Sequence, residues 1–205
     1  MSRAGFTPQE RAGLIGLLHS RRSVAPKRLL PPGPDEVTLR EIVGAALAAP
    51  DHCGLRPWKF LQVTPGQRSR LADLFAQEKR EHEPDASTDD VEKERARAHN
   101  APVLLAALLE KVENHPKVPV SEQLVSLGAA IQNLLLAAHA RGFGAMLTSG
   151  RKVASPLIQN AFCLSPRQLL VGFISIGTAS EPPKPRRPAR IEDHFEDWKD
   201  RKPGG

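Results

Sequence analysis

Three short stretches of the chain combine residue types that could bind a small ligand. The first is Arg21-Arg22-Ser23. Its two guanidiniums and its hydroxyl could form charge-assisted hydrogen bonds with a phosphate or with an enolate-like oxygen. Paired arginines are also common on solvated helix ends. The stretch by itself is therefore compatible with a binding site and with an ordinary solvated surface.

The second stretch is the segment 48–58, in which a helix must stop at Pro50 and a strand can begin at Trp58. Loops held on a rigid scaffold often carry function. His52 could hydrogen-bond a planar ligand, and Trp58 could pack against it. An ordinary exposed loop histidine is the alternative. No HxH, HExxH or HxxxH pattern surrounds His52, so no metal site is predicted.

The third stretch is RGFGAMLTSG at residues 141–150. Its glycines bracket a short apolar segment and would let the backbone approach a ligand closely. The hydroxyls of Thr148 and Ser149 could then recognise polar groups. An ordinary strand flanked by glycines is the alternative.

Hydrophobic periodicity and the positions of the prolines predict the elements that position these stretches. Asp35 is a candidate N-cap, the proline-rich segment 28–34 must be extended, and the charged segment 81–100 is expected to be a mobile, partly helical excursion. The apolar run after Pro102 indicates a buried strand, although periodicity alone leaves a helix open. The predicted helices cover residues 8–20, 35–49, 67–80, 121–141 and 156–162, and the predicted strands cover residues 58–64, 103–109, 143–148 and 168–179.

The order of these elements indicates the fold class. Helices precede and separate the strands without βαβα alternation, and the GxGxxG and GxxxxGK[ST] motifs are both absent. We therefore predict an α+β fold, a mixed sheet flanked by helices, in one domain over residues 1–180. The tail, residues 181–205, is rich in proline and arginine and is expected to lie across a partner subunit. The helix over 121–141 is apolar almost all round, which predicts a central, buried position.

Charge and composition limit the classes of partner molecule that the protein is expected to bind. The net charge is +6, but residues 1–28 carry six bases against one acid, whereas residues 78–100 carry eight acids against five bases. Such local basicity suits capture of a small phosphorylated ligand, although a duplex-binding stripe would look similar. No RNA- or DNA-binding motif is present and aromatic residues make up only 4% of the chain, so we predict no nucleic-acid partner.

Cellular location is predicted from what the chain lacks. No apolar run approaches the roughly 20 residues that span a bilayer, and the N-terminus has no secretory h-region. We therefore expect a cytoplasmic protein without a membrane partner. Cys53 and Cys163 are far apart and form no CxxC pair, which predicts two reduced thiols rather than a disulfide or a zinc site.

Taken in order, the motifs resemble the nitroreductase-like flavoproteins, and most closely a subfamily of small bacterial NAD(P)H nitroreductases. The resemblance covers about residues 12–180. Its motifs are RRS at 21–23, APDHxxxxPWxF from Ala49, NAPV at 100–103, ENHPKVP at 113–119, RGFGAMLTSG at 141–150 and VGFISIGT at 171–178.

This resemblance implies a mainly antiparallel sheet, a homodimer and FMN bound between the subunits. It implies that His52, and Ala48 through its backbone, reach the flavin of the other subunit, and that Arg141 and Gly142 come near the nicotinamide. The residues implied to bind FMN within one subunit are Arg21, Arg22, Ser23, Leu147, Thr148 and Ser149. One of the tail residues Arg186, Arg187 and Arg190 could assist at the phosphate.

The implied activity is transfer of a hydride from NAD(P)H through FMN to a nitroaromatic, quinone or similar acceptor. The cofactor carries that chemistry, so no catalytic side chain is predicted. Two alternatives stay open: another flavin-linked enzyme on the same scaffold, and a flavin- or nucleotide-binding carrier or sensor. Gly54 and Arg56 stand where many family members have asparagine and glutamine, a departure that bears on the redox potential and the substrate range.

Overall fold

The computed structural model describes residues 5–185 and 187–198. Within these residues a five-stranded sheet runs through the centre, with strand order β1-β5-β3-β2 and with β4 paired to β5. All four pairings are antiparallel, which confirms the α+β prediction with a mainly antiparallel sheet. The strands are β1 Leu29–Leu30, β2 Trp58–Gln62, β3 Val103–Glu110, β4 Gly144–Thr148 and β5 Gln168–Ala179.

Helices cover both faces of this sheet. The helices are α1 Pro8–Ser20, α2 Glu36–Ala46, α3 Pro65–His82, α4 Thr88–Ala96, α5 Val120–Ala140 and α6 Pro156–Ala161. Successive strand residues point to opposite faces, so Leu105 and Ile174 pack with α2 and α5, whereas Leu104 and Phe173 pack with α3 and α6. The sheet therefore separates two apolar cores.

Local sequence explains where several helices begin. Thr7 and Glu10 form a capping box at the start of α1, and the Asp35 carboxylate accepts a hydrogen bond from the Thr38 N–H at 2.8 Å. These hydrogen bonds lower the pKa of Asp35 and that of Glu10. The N-cap prediction at Asp35 is confirmed. The predicted boundaries differ by a few residues at α2, which ends at Ala46, and at α3, which begins at Pro65.

The charged segment 81–100 is more ordered than its composition predicted. It contains helix α4, whose Val91 is buried, and Ala98 just beyond it is also buried. Arg68 of α3 anchors this region, since its guanidinium donates to the carbonyls of Ala98 at 2.7 Å and Ala101 at 3.3 Å. The partly helical prediction is confirmed, and polar contacts and buried small side chains attach α4 to α3.

Helix α5 is buried on one face only. Eight of its residues pack inside the protein, whereas Leu124 and Val125 on the opposite face are exposed. The predicted central position is therefore confirmed for the face that packs in the core, and the opposite face is exposed in the single chain. By length and composition alone α5 is long and apolar enough to cross a membrane, as core helices of globular proteins often are. Its packing on the sheet is that of a core helix.

The described residues of the tail from Glu181 lie at the surface. They are exposed, including Ile191, Phe195 and Trp198, and one short 3-10 helix forms over Ile191–Asp193. Arg187 and Arg190 are exposed as well, and Arg186 lies outside the described residues.

Candidate binding cleft

A cleft of about 490 Å³ opens on the α3 and α4 side of the sheet. Its floor is apolar and includes Leu104, Met146 and Phe173. The volume lies within the range of roughly 300–1,000 Å³ that is usual for small-molecule sites. The polar residues around it are Lys27, Lys93, Arg97, Asn100, Thr148, Ser149, Lys152 and Ser175.

Four of these side chains are cationic, and they come from three different parts of the chain. Lys27 follows the Arg21-Arg22-Ser23 stretch, Lys93 and Arg97 lie on or next to α4, and Lys152 follows β4. An apolar floor with a cationic rim suits a ligand that has a planar apolar part and an anionic group.

Thr148 and Ser149 line this cleft, as the sequence predicted. They lie at the end of β4, where the chain turns through Gly150, whose φ of +118° favours glycine. The Thr148 hydroxyl donates to the Phe173 carbonyl at 3.2 Å, so it also secures β4 to β5. Leu147, the preceding residue, packs against the core on the other face of the sheet.

The Arg21-Arg22-Ser23 stretch lies beside the same strand. Ser23 pairs with Ala145 in a parallel bridge, and Ala25, Pro26 and Lys27 then line the cleft. The Arg22 guanidinium donates to the His19 carbonyl at 2.5 Å and to the Arg21 carbonyl at 2.9 Å. The structure thus brings the first and third predicted stretches together at β4.

The loop after α2 lies elsewhere. His52 is exposed, and its Nδ1 is 2.9 Å from a carboxylate oxygen of Glu122 on α5, while Ala48 is exposed nearby in the chain. The loop turns through left-handed backbone at Cys53, Gly54 and Arg56. Neither His52 nor Ala48 lines the cleft of the same chain.

Trp58 does not face a ligand. The side chain is buried in the core next to α5, and its indole N–H makes no hydrogen bond among the described residues. The sequence interpretation that it packs against a planar ligand was therefore wrong. Alternation along β2 places it on the core face of the sheet.

Arg141 and Gly142 lie at the opposite end of β4 from Thr148. An antiparallel strand rises about 3.4 Å per residue, so the two ends of β4 are roughly 13 Å apart. An Arg141 nitrogen is 2.6 Å from a Glu41 carboxylate oxygen, which joins α5 to α2. Gly142 adopts a φ of +81° and forms the turn into β4.

Sequence reasoning missed several residues of the cleft. Lys27 and Lys152 could have been predicted from the sequence, because each follows a predicted stretch by only a few residues. Lys93 and Arg97 gave no such signal, since they belong to a charged segment whose helix α4 meets the cleft only in the tertiary structure.

The fold is α+β, and its cleft combines an apolar floor with a cationic rim. The sequence model of the Nitroreductase family matches residues 18–178, so the chain belongs to that family, and the predicted resemblance is confirmed. An Escherichia coli K12 protein named "Putative NAD(P)H nitroreductase YdjA" is 35% identical over 166 residues, which cover 80% of this chain and 87% of that protein.

Solved structures share the fold. A nitroreductase-like family protein from Bacillus cereus aligns with a TM-score of 0.78 at 21% identity, covering 97% of this chain and 100% of the other. A second structure, a nitroreductase from Desulfovibrio desulfuricans in complex with FMN, aligns with a TM-score of 0.68 at 23% identity, covering 96% and 100%. At these identities the likeness shows the fold alone.

Proposed function

We propose that this protein is an FMN-dependent NAD(P)H oxidoreductase. The cleft beside β4 carries the proposal, because it joins a cationic rim to an apolar floor within a chain of the Nitroreductase family. The names of the relatives support the same assignment: the Escherichia coli relative is named for NAD(P)H, and the Desulfovibrio structure holds FMN.

The residues present fit FMN in character, and Thr148 and Ser149 line the cleft, where they would contact the ring from the end of β4. Arg21, Arg22 and Ser23 lie beside the cleft and would hold the phosphate and ring oxygens, since guanidiniums bind phosphate through paired hydrogen bonds. Leu147, whose side chain packs on the other face of the sheet, would contribute through its backbone. Arg141 and Gly142 stay a prediction for the approach of the nicotinamide.

When bound, FMN would take a hydride from NAD(P)H and pass it to a nitroaromatic, a quinone or a similar acceptor. The chain's own residues bind and orient the cofactor. The cations around the cleft would stabilise negative charge on the ring, an effect that is strongest where water is excluded. We name no side chain as acid, base or nucleophile.

We further propose a homodimer in which His52 and the backbone of Ala48 reach the FMN of the other subunit. Leu14, Ile15 and Leu18 of α1 are exposed, and so is the outer face of α5. Apolar faces of this kind on neighbouring helices call for a covering surface. An obligate interface of this class would bury over roughly 2,000 Å².

The tail would pack on the partner subunit. Its aromatic residues Phe195 and Trp198 are exposed on their own chain. A groove of about 720 Å³ between α2 and the edge strand β2 offers an apolar surface that a tail could cover. We place the enzyme in the cytoplasm, where reduced thiols at Cys53 and Cys163 would persist.

Colour tests the proposed function. Purified protein reconstituted with FMN should be yellow and should bleach when NADH or NADPH is added without oxygen. Yellow protein that neither nicotinamide bleaches would instead indicate a carrier or sensor. Colourless protein that fails to bind added FMN would contradict both assignments. A panel of nitroaromatic, quinone and alkene acceptors would then identify the preferred oxidant.

A further inference from the structure

Lys152 is a buried cation at the cleft that the predicted site does not include. It lies in the short 3-10 helix Arg151–Ala154 after β4, and it lines the cleft together with Ser149 and Ser175. Its side chain is only 18% exposed. An ammonium so far removed from water is costly unless it is paired.

Its partners are a carboxylate and an aromatic ring. Lys152 Nζ forms an ion pair with Glu94, whose side chain is 17% exposed, and lies 4.3 Å from the centre of the Phe75 ring. The Arg97 guanidinium also reaches Glu94, with its Nε at 3.0 Å. One carboxylate thus serves two cations, which leaves an excess of positive charge on this side of the cleft.

The excess is local to Lys152 and Arg97 around Glu94, because Lys93 elsewhere on the rim is matched by two carboxylates, Asp89 and Asp90. Glu78, although buried, is paired with Arg151 at 3.1 Å, and Glu83 is paired with Lys79 and with Arg151. Burial lowers the pKa of Lys152, while the hydrogen bond with Glu94 opposes that shift. Glu94 therefore favours the charged form of Lys152 and at the same time offsets its field.

We infer that Lys152 and Glu94 form a charge pair that sets the ratio of the cleft's affinities for the negatively charged reduced flavin and the neutral oxidised flavin. The two residues change this ratio in opposite directions. Lys152 favours the reduced flavin and Glu94 disfavours it. This inference rests on the proposed function. Its physical basis is that charges largely removed from water, as those of Lys152 and Glu94 are, act with a low effective dielectric constant, whereas exposed charges are screened.

The test measures the midpoint potential of bound FMN against a reference dye, in wild type and in two variants of the full protein. Lys152→Met should lower the ratio of affinities for reduced over oxidised FMN about tenfold, which for a two-electron couple is about 30 mV toward more negative values. Glu94→Gln should change this ratio in the opposite direction, and Lys152→Arg should keep it within about twofold of wild type.

Lys59→Met is the matched control. Lys59 lies on β2 outside the cleft, is 52% exposed and is paired with Glu110 at 3.9 Å. Its loss should change the ratio less than twofold, because the removed charge is exposed and screened by water. If Lys152→Met does not fold, Lys152→Gln removes the same charge and can still donate to Glu94.

Two results would overturn the inference. One is a shift in Lys152→Met no larger than in Lys59→Met. The other is a shift of the same sign in Lys152→Met and Glu94→Gln, which a disturbance of packing alone would produce. Wild-type protein that binds no FMN would contradict the proposed function instead, so the two failures are distinguishable.

Discussion

Ser23 and Ala145 lie side by side in a parallel β-bridge, and the neighbouring Val24 N–H donates to the Ala145 carbonyl at 3.2 Å. The pair joins two segments that are far apart in the sequence. It places the Arg21-Arg22-Ser23 stretch along the strand whose far end bears Thr148. One site can therefore draw on both stretches, which is the basis of the first prediction.

Removing the two arginines should abolish cofactor binding while leaving the fold intact. Arg21→Ala with Arg22→Ala should purify folded but largely free of FMN. Each lost charge-assisted hydrogen bond should cost about 1.5–3 kcal/mol, or tenfold or more in affinity. Fluorescence titration with FMN measures the loss, and circular dichroism checks the fold.

Arg11→Ala is the control for that variant. Arg11 lies on α1, which ends just before Arg21, and its guanidinium donates to the Phe6 carbonyl, away from β4. The control should bind FMN as wild type does. Full FMN occupancy in the double variant would show that the stretch is only a solvated helix end.

Mixed dimers should show whether each site draws on two chains. A heterodimer of a His52→Ala Arg56→Ala subunit and an Arg21→Ala Arg22→Ala subunit would hold one intact composite site out of two. Heterodimers purified through two different affinity tags should therefore bind half the FMN of wild type, and both homodimers should bind poorly. Absorbance of the bound flavin per dimer gives the count.

The oligomeric state in solution tests the proposed interface directly. Light scattering should report a dimer for wild type at all concentrations used in the titrations. A monomer that retains one FMN per chain would rule out the composite site, and His52 would then be an ordinary loop histidine held by Glu122.

Gly172→Ala should distort the cleft by displacing Thr148, which lines it. A Cβ at this position would lie 2.7 Å from the Thr148 carbonyl oxygen and 2.7 Å from Leu147 Cδ1. Because the backbone at Thr148 cannot shift without a cost in free energy, we expect the free energy of unfolding to fall by about 1–3 kcal/mol. Displacement of Thr148 should also weaken FMN binding.

Urea denaturation and FMN titration measure the two effects of Gly172→Ala. Gly66→Ala is the control, since nothing lies within 4 Å of the added Cβ in the first turn of α3. That variant should change the free energy of unfolding by less than about 1 kcal/mol. Equal stability of the two variants would contradict the close approach at Gly172.

Arg68→Met should destabilise the whole domain. The Arg68 side chain is buried, burial lowers its pKa, and its guanidinium donates to four carbonyls, those of Val63, Ala98, Ala101 and Pro102. Methionine keeps the aliphatic part of the side chain but leaves these acceptors without a donor, at a cost of about 1–3 kcal/mol for each carbonyl left buried and unpaired.

Chemical denaturation of Arg68→Met beside Arg70→Met tests this role. Arg70 is exposed on the same helix, so its loss should stay within about 0.5 kcal/mol of wild type. If the denaturation midpoints of the two variants shift equally, water must replace Arg68 as the hydrogen-bond donor to these carbonyls.

Several elements were predictable because their signals are local. Pro8, Asp35 and Pro156 mark helix starts through capping and fixed backbone angles. The apolar run 103–109 lies in a strand buried on both faces, and α5 was recognisable from its length and apolar content. The ordered motifs from RRS to VGFISIGT identified the family, which the match over residues 18–178 confirms.

The sequence by itself thus determined the family, the α+β class and the approximate bounds of most elements, because periodicity, caps and motifs act over a few residues. Only the tertiary structure decided that Lys93, Arg97 and Lys152 share one cleft with Thr148 and that Trp58 is a core residue. Strand order and sheet register set which distant side chains meet, and a shift of one residue would turn each to the other face. No local pattern in the chain encodes that pairing.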